Sequence, residues 1–152
     1  MLIFLASDAR VIGWRAGEPR PDAIDESAAR RVADAVVDDI VAGHHEQLHA
    51  RMEQQFRTDN PPRIFSSHFE KMFAFGGKPL TAAFKAQQDG VKVYLNGTRK
   101  TVRKFWYAAQ TTKSEGGPYF LFVEVVPDEG GPACTSVGLV NFPVTGPPAH
   151  LK

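Results

Sequence analysis

The sequence lacks most of the features that mark a specialised protein class. Its single cysteine, Cys134, excludes an internal disulfide framework and any cysteine-based zinc cluster. No apolar run approaches the roughly 20 residues that a membrane-spanning helix needs. The opening apolar stretch, Leu2 to Ala6, is short and has no Lys or Arg before it, unlike a secretory signal. An excess of charge of either sign is also missing. Lys and Arg number 18 against 17 Asp and Glu, for a net charge of +1, so no molecule-wide field steers the chain toward nucleic acid or a membrane surface. Glycine-rich phosphate loops and nucleophile elbows are absent too.

What is present is the composition of an ordinary globule. Of 152 residues, 43% are hydrophobic and 23% charged. A chain of this length makes one domain with a core of its own. The expected compartment is open: cytoplasm, or periplasm if an export signal lies upstream of Met1.

The first 25 residues read as an extension, with Met1–Ile12 a possible edge strand and GEPRPDAID over 17–25 a linker. Asp25 is placed to cap a helix. Ala29, Val32, Ala33, Val36, Val37, Ile40 and Val41 then recur at three- and four-residue spacing until Gly43, which predicts an amphipathic helix ended by glycine. A second helix is expected over 45–56, where Leu48, Met52 and Phe56 form a stripe, broken by TDNPP at 58–62. A third is expected from Arg63 to Phe73, closed by Gly76 and Gly77.

From Leu80 the pattern changes to strands, expected at 80–85, 91–95, 101–112, 119–126 and 134–142. Asp89-Gly90 and Asn96-Gly97 are tight-turn dipeptides, and SEGGP at 114–118 and DEGGP at 128–132 supply further reversals. Consecutive turn-linked strands predict an antiparallel meander. The fold class is therefore α+β, with N-terminal helices packed on a curved antiparallel sheet. Phe105, Tyr107 and Ala109 alternate with Trp106, Ala108 and Gln110, so the central strands are apolar on both faces and need two covers. Helices supply one; curvature, a pocket or a second subunit supplies the other. The basic residues Arg99, Lys100, Arg103 and Lys104 read as a solvated strand face, and Cys134 as a buried thiol.

The segments ADAVVDDIVAGHHEQL (33–48), FGGKPL (75–80), KFWYAAQTTKSEGGPYFLFVEVV (104–126) and SVGLVNF (136–142) resemble small bacterial domains of the NTF2-like superfamily, over about residues 26–143. The resemblance implies a cone-shaped α+β fold with a pocket between helices and sheet, and a flexible tail over 144–152. Some members of that superfamily are lyases or isomerases with an Asp–His pair in the cone; others only bind or dimerise. On this chain the implied pocket residues are Phe65, His68, Arg103, Trp106, Tyr107 and Glu124, with His68 the possible acid-base. The leading expectation is a non-enzymatic domain without a cofactor, binding a small hydrophobic ligand or forming a homodimer through its sheet. A small lyase or isomerase is the alternative.

A competing motif is HEQLH at 45–49. On a helix, His45 and His49 stand one turn apart and can share one zinc, with Glu46 as general base. It resembles the zincin peptidases over these five residues only. His44 lies beside it, and His68 or Glu70 would have to supply a third ligand. Arg51 stands where zincins keep an uncharged residue, and nearly every strand follows the helix instead of preceding it. A surface or capping role for these histidines is the plainer reading.

Overall fold

A computed structural model describes residues 2–5, 9–12, 24–113 and 119–141, the first two stretches by their backbone. Asp25 accepts a hydrogen bond from the Ala28 N–H at 2.8 Å and starts α1, Glu26–Ala42. Ala29, Ala33, Val36, Val37 and Ile40 form its buried face, and Gly43 ends it in the left-handed conformation. Three shorter helices follow: α2 His45–Arg51, α3 Gln54–Asp59 and α4 Pro62–Gly76. The single helix expected over 45–56 is therefore split. The Glu53 N–H donates to the Cys134 carbonyl at 2.8 Å, and Met52 pairs with Cys134 as an isolated bridge. A strand contact thus takes the backbone groups that a continuous helix would use.

Strands β3 Pro79–Tyr94, β4 Arg99–Thr111, β5 Tyr119–Asp128 and β6 Gly131–Asn141 form the expected meander. β1, Leu2–Leu5, and β2, Ala9–Ile12, occupy opposite edges, in the order β1-β6-β5-β4-β3-β2, with every described pairing antiparallel. The stretch read as one edge strand thus supplies both edges. The turn expected at Asp89-Gly90 does not form. β3 runs through it, because Asp89 pairs with Arg103 of β4 and its carboxylate takes the Arg103 guanidinium at 2.9 Å. Asn96-Gly97 does turn the chain, with Gly97 at φ 86°. The SEGGP turn, the tail from 144 and most of the 17–25 linker lie outside the described residues.

The helices cover one sheet face. α1 crosses β3 to β6, and α4 lies on β6 and β1. Phe105, Tyr107, Ala109, Leu121, Val123, Val125, Val137 and Leu139 fill the space beneath them, together with Phe56, Phe65, Phe69 and Met72 from the helices. The other face is covered by the sheet itself. Lys92 of β3 donates to the Thr135 hydroxyl of β6 at 2.7 Å, although two strands stand between them. A flat sheet would hold those strands about 14 Å apart, so the sheet is rolled toward the Lys92 face. Chain connectivity requires the same thing. Four steps of at most about 3.6 Å hold Leu5 and Ala9 within about 14 Å, and those residues sit on opposite edges. Trp106, Phe120, Phe122 and Val140 form a second buried cluster on this inner face.

Candidate functional site

The zinc motif resolves into helix packing. The His45 ring stacks on Phe69 of α4, with centroids 5.0 Å apart. His49 meets Phe65 edge-on, and its Nε2 lies 2.7 Å from the Asn60 carbonyl oxygen. Glu46 is exposed. Among the described residues no group of three His, Cys, Asp or Glu could hold a metal ion. Nor is any helix among them long and apolar enough to cross a membrane.

The six residues implied as a pocket are divided between the two faces of the sheet. Phe65 is core, packed edge-on against Phe56 and Phe69. His68 is half-buried on α4, and burial, with Lys71 nearby, lowers its pKa. Arg103 faces the helices and donates to the Ile24 carbonyl as well as to Asp89. Tyr107 faces the helices too. Its hydroxyl donates to Asp34 Oδ1 at 2.7 Å, and Arg30 donates to the same oxygen at 2.8 Å while lying over the Phe84 ring. These side chains tie α1 to the sheet and leave the helix face packed. Trp106 and Glu124 point the other way, into the roll. The basic stretch is divided in the same manner. Arg99 is exposed, Arg103 faces the helices, and Lys100 and Lys104 are half-buried on the inner face. A solvated face is thus a correct description of Arg99 alone.

Burial, and then the Asp34 carboxylate, push the Tyr107 hydroxyl above the ordinary tyrosine pKa of about 10. A raised folded-state pKa means this stabilisation is complete below pH about 10 and declines as pH rises beyond it. Tyr107→Phe is expected to cost about 1 kcal/mol at pH 8. The gap to wild type in urea denaturation should narrow above pH about 10. A gap that stays constant would show that the bond to Asp34 is not what Phe removes.

Sequence reasoning missed the most heavily buried polar cluster. Glu53, between α2 and α3, is 1% exposed and Lys92 is 0% exposed. Glu53 Oε1 accepts from Thr135 at 2.6 Å, and Oε2 accepts from the Tyr94 hydroxyl at 2.9 Å. Lys100 lies 3.5 Å from Glu53 and 3.7 Å from Asp128. Burial lowers the Lys92 pKa, against the pull of Glu124 and Glu53, and it raises that of Tyr94. A lysine bonded to a hydroxyl that is itself bonded to a carboxylate has the parts of an activated nucleophile. Here all three groups are sealed from solvent, and the cluster links β3 and β6 to the junction between α2 and α3. Cys134, fully buried beside it, has its thiol pKa raised by burial and is inert by the same argument.

On the solvent side of this cluster lies a cleft of about 190 Å³, lined among others by Arg51, Met52, Arg57, Asp128, Gly130 and Gly131. Arg51 gives its Nε to Asp39 at 2.7 Å, and no other partner of its guanidinium stands among the described residues. Arg57 is exposed and has no ion-pair partner among the described residues. Asp128 is engaged by the Gln54 N–H at 2.8 Å and by Lys100. A Cβ on Gly130 or Gly131 would meet nothing within 4 Å, so the turn presents bare backbone to the cleft. No signal within the local sequence joins Arg51 and Arg57 to the DEGGP turn, because the β6 contact at Met52 and Glu53 brings them together.

No known protein family, curated protein or solved structure matches this chain.

Proposed function

We propose that the protein is a non-enzymatic binding domain that holds a small anionic molecule, a carboxylate or phosphate, in the Arg51–Arg57 cleft. The observation that carries this reading is the cleft itself: an open concavity where an unpaired guanidinium faces a glycine turn. Arginine suits such ligands because its planar fork matches carboxylate and phosphate oxygens. The cleft's lining favours an anion over the hydrophobic ligand expected from the sequence. An NTF2-like kinship draws support from the element order, helices before a four-stranded meander. The ligand space such a domain would place between helices and sheet is occupied here by Phe105, Tyr107 and Leu121, so the reading moves the ligand elsewhere.

The other readings have less support. Self-association through the inner sheet face has little aromatic surface to bury, because Trp106, Phe120 and Phe122 are covered within one chain; Leu80 and Phe84 of β3 are the exposed large apolar residues among those described in the sheet. The lyase reading that the resemblance implies uses an Asp–His pair, and Asp34 is spent on Arg30 and Tyr107. A zinc peptidase needs a third ligand beside His45 and His49, and among the described residues no group of three such side chains gathers, while both rings pack on Phe69 and Phe65.

Titration calorimetry with inorganic phosphate and with succinate, at constant ionic strength, tests the proposal. At least one of the two should bind saturably to the wild type, with affinity falling about tenfold in Arg57→Gln, the loss of one charge-assisted contact. Absence of saturable heat with both anions, or equal binding by the variant, would remove the cleft as a ligand site.

A further inference from the structure

Lys104 and Glu124 stand directly opposite each other on β4 and β5, on the inner face of the roll. Opposite charges so placed have their Cβ atoms about 5 Å apart and ordinarily pair. These two do not. The Lys104 ammonium lies over two aromatic rings, 4.1 Å from the Phe122 centroid and 4.5 Å from that of Trp106. Glu124 is 3% exposed. Its Oε1 accepts from the Ser136 hydroxyl at 2.7 Å, while its Oε2 is buried with no hydrogen-bond partner among the described residues. The other inner-face cations are committed: Lys92 to Thr135, and Lys100 to Glu53 and Asp128. The face therefore holds one ammonium seated on aromatic rings, with Glu124 near enough to act on it only through its charge, and one buried carboxylate oxygen without a hydrogen-bond donor among the described residues. A buried acceptor left in that state is destabilising, and a bound group that supplies a donor relieves it.

The Trp106 side is the less tightly covered edge of this cluster. Ala86, Gln88, Lys104 and Ala108 around that ring are all half-buried, and Gln88 fixes the indole by accepting from its Nε1 at 2.6 Å.

From these observations we infer that the Lys104–Glu124 pair is a second binding site, for a small aromatic acid that also carries a hydroxyl or ammonium group. The acid's carboxylate pairs with Lys104 as that side chain lifts from the rings. The ligand ring takes the lysine's place against Trp106 and Phe122, and its donor satisfies Glu124 Oε2. Neither half of the recognition suffices: an acid without a donor leaves Glu124 as it was, and an amine without an acid leaves Lys104 unpaired.

The test uses three probes on the full chain: mandelate, which carries both groups, benzoate, which has only the acid, and benzylamine, which has only the donor. Each is titrated while the indole N–H signal of Trp106 is followed by NMR, assigned with a Trp106→Phe variant. Mandelate should shift that signal saturably and bind at least tenfold more tightly than either control. Lys104→Met and Glu124→Gln should each bring mandelate down to the weaker level. Glu124→Gln keeps the shape and the acceptor for Ser136, so an unchanged melting temperature separates lost recognition from lost folding. Mandelate binding no tighter than the controls, or indifferent to both variants, overturns the inference. So does a Trp106 signal that none of the three moves, the outcome expected if a single water serves Glu124. Arg57→Gln leaves this face untouched and neither variant here touches the cleft, so the two sites fail separately.

Discussion

Gly77→Ala should destabilise the protein by about 3–5 kcal/mol, a backbone-strain cost and an overpacking cost combined. Gly77 follows α4 at φ 83° and ψ 166°, a conformation that essentially only glycine adopts, at a cost of about 1–3 kcal/mol for other residues. A Cβ there would also stand 2.8 Å from the Lys113 nitrogen, 2.7 Å from Thr112 Oγ1 and 2.9 Å from Thr111 Oγ1. One of these neighbours is backbone, and the segment is held on both sides. Gly77 N–H donates to the Phe73 carbonyl at 2.8 Å, and Thr112 N–H to the Lys78 carbonyl at 3.1 Å. Relief would have to come from moving the end of β4 against α4. Two other glycines make the comparison discriminating. Gly43 has φ 78° but open space around its Cβ, so Gly43→Ala should cost only the left-handed strain of about 1–2 kcal/mol. Gly130 has neither a positive φ nor a close neighbour, and Gly130→Ala should stay within about 0.5 kcal/mol. Urea midpoints rank the three. A loss below about 1 kcal/mol at Gly77, well under the combined expectation, would show that the α4–β3 junction yields without strain.

The two glycines after Phe75 illustrate what a sequence can express about this fold. Local chemistry is legible: the Asp25 cap, the apolar spacing of α1, Gly43 as its end, and the Asn96-Gly97 reversal all act within a few residues. Long-range contacts are not. Asp89-Gly90 carries as strong a turn signal as Asn96-Gly97, yet Arg103, fourteen residues on, takes the aspartate and keeps the strand straight. No glycine or proline marks the break between α2 and α3, which Cys134 imposes from β6. The roll depends on residues 2–5 and 9–12 reaching opposite edges, and nothing in those short stretches specifies a partner. The candidate site is obscured for the same reason. The sequence groups Trp106 and Glu124 with Arg103 and Tyr107 because both faces of β4 are aromatic, and only the strand pairing separates them. Lys92, in the run Val-Lys-Val-Tyr, reads as an ordinary solvated position of an alternating strand. It becomes buried because the sheet curls over it.

Lys92→Met is expected to cost about 3 kcal/mol, the lower end of the range for removing one partner of a buried charge cluster. The lower end applies because Lys100 remains 3.5 Å from Glu53 and continues to compensate part of its charge. Methionine fills the space of the lysine stem, so a cavity adds little. The substitution removes the hydrogen bond to Thr135 and the cation facing Glu53 and Glu124. Glu53→Gln alone should also destabilise, since it leaves Lys92 buried with a weakened counter-charge while the amide oxygen still accepts from Tyr94 or Thr135. The double variant decides between a coupled cluster and two independent contacts. With both charges gone, neither is stranded, and the loss should fall short of the summed single losses by about 1 kcal/mol or more. Strict additivity in urea denaturation would mean that Lys92 and Glu53 do not act through Thr135, and that apolar packing holds β3 and β6 near each other. A double variant close to wild type would mean the opposite of a fastening role: the charges would then be a stability cost carried for some other reason, because an apolar and amide replacement would hold the same strands equally well.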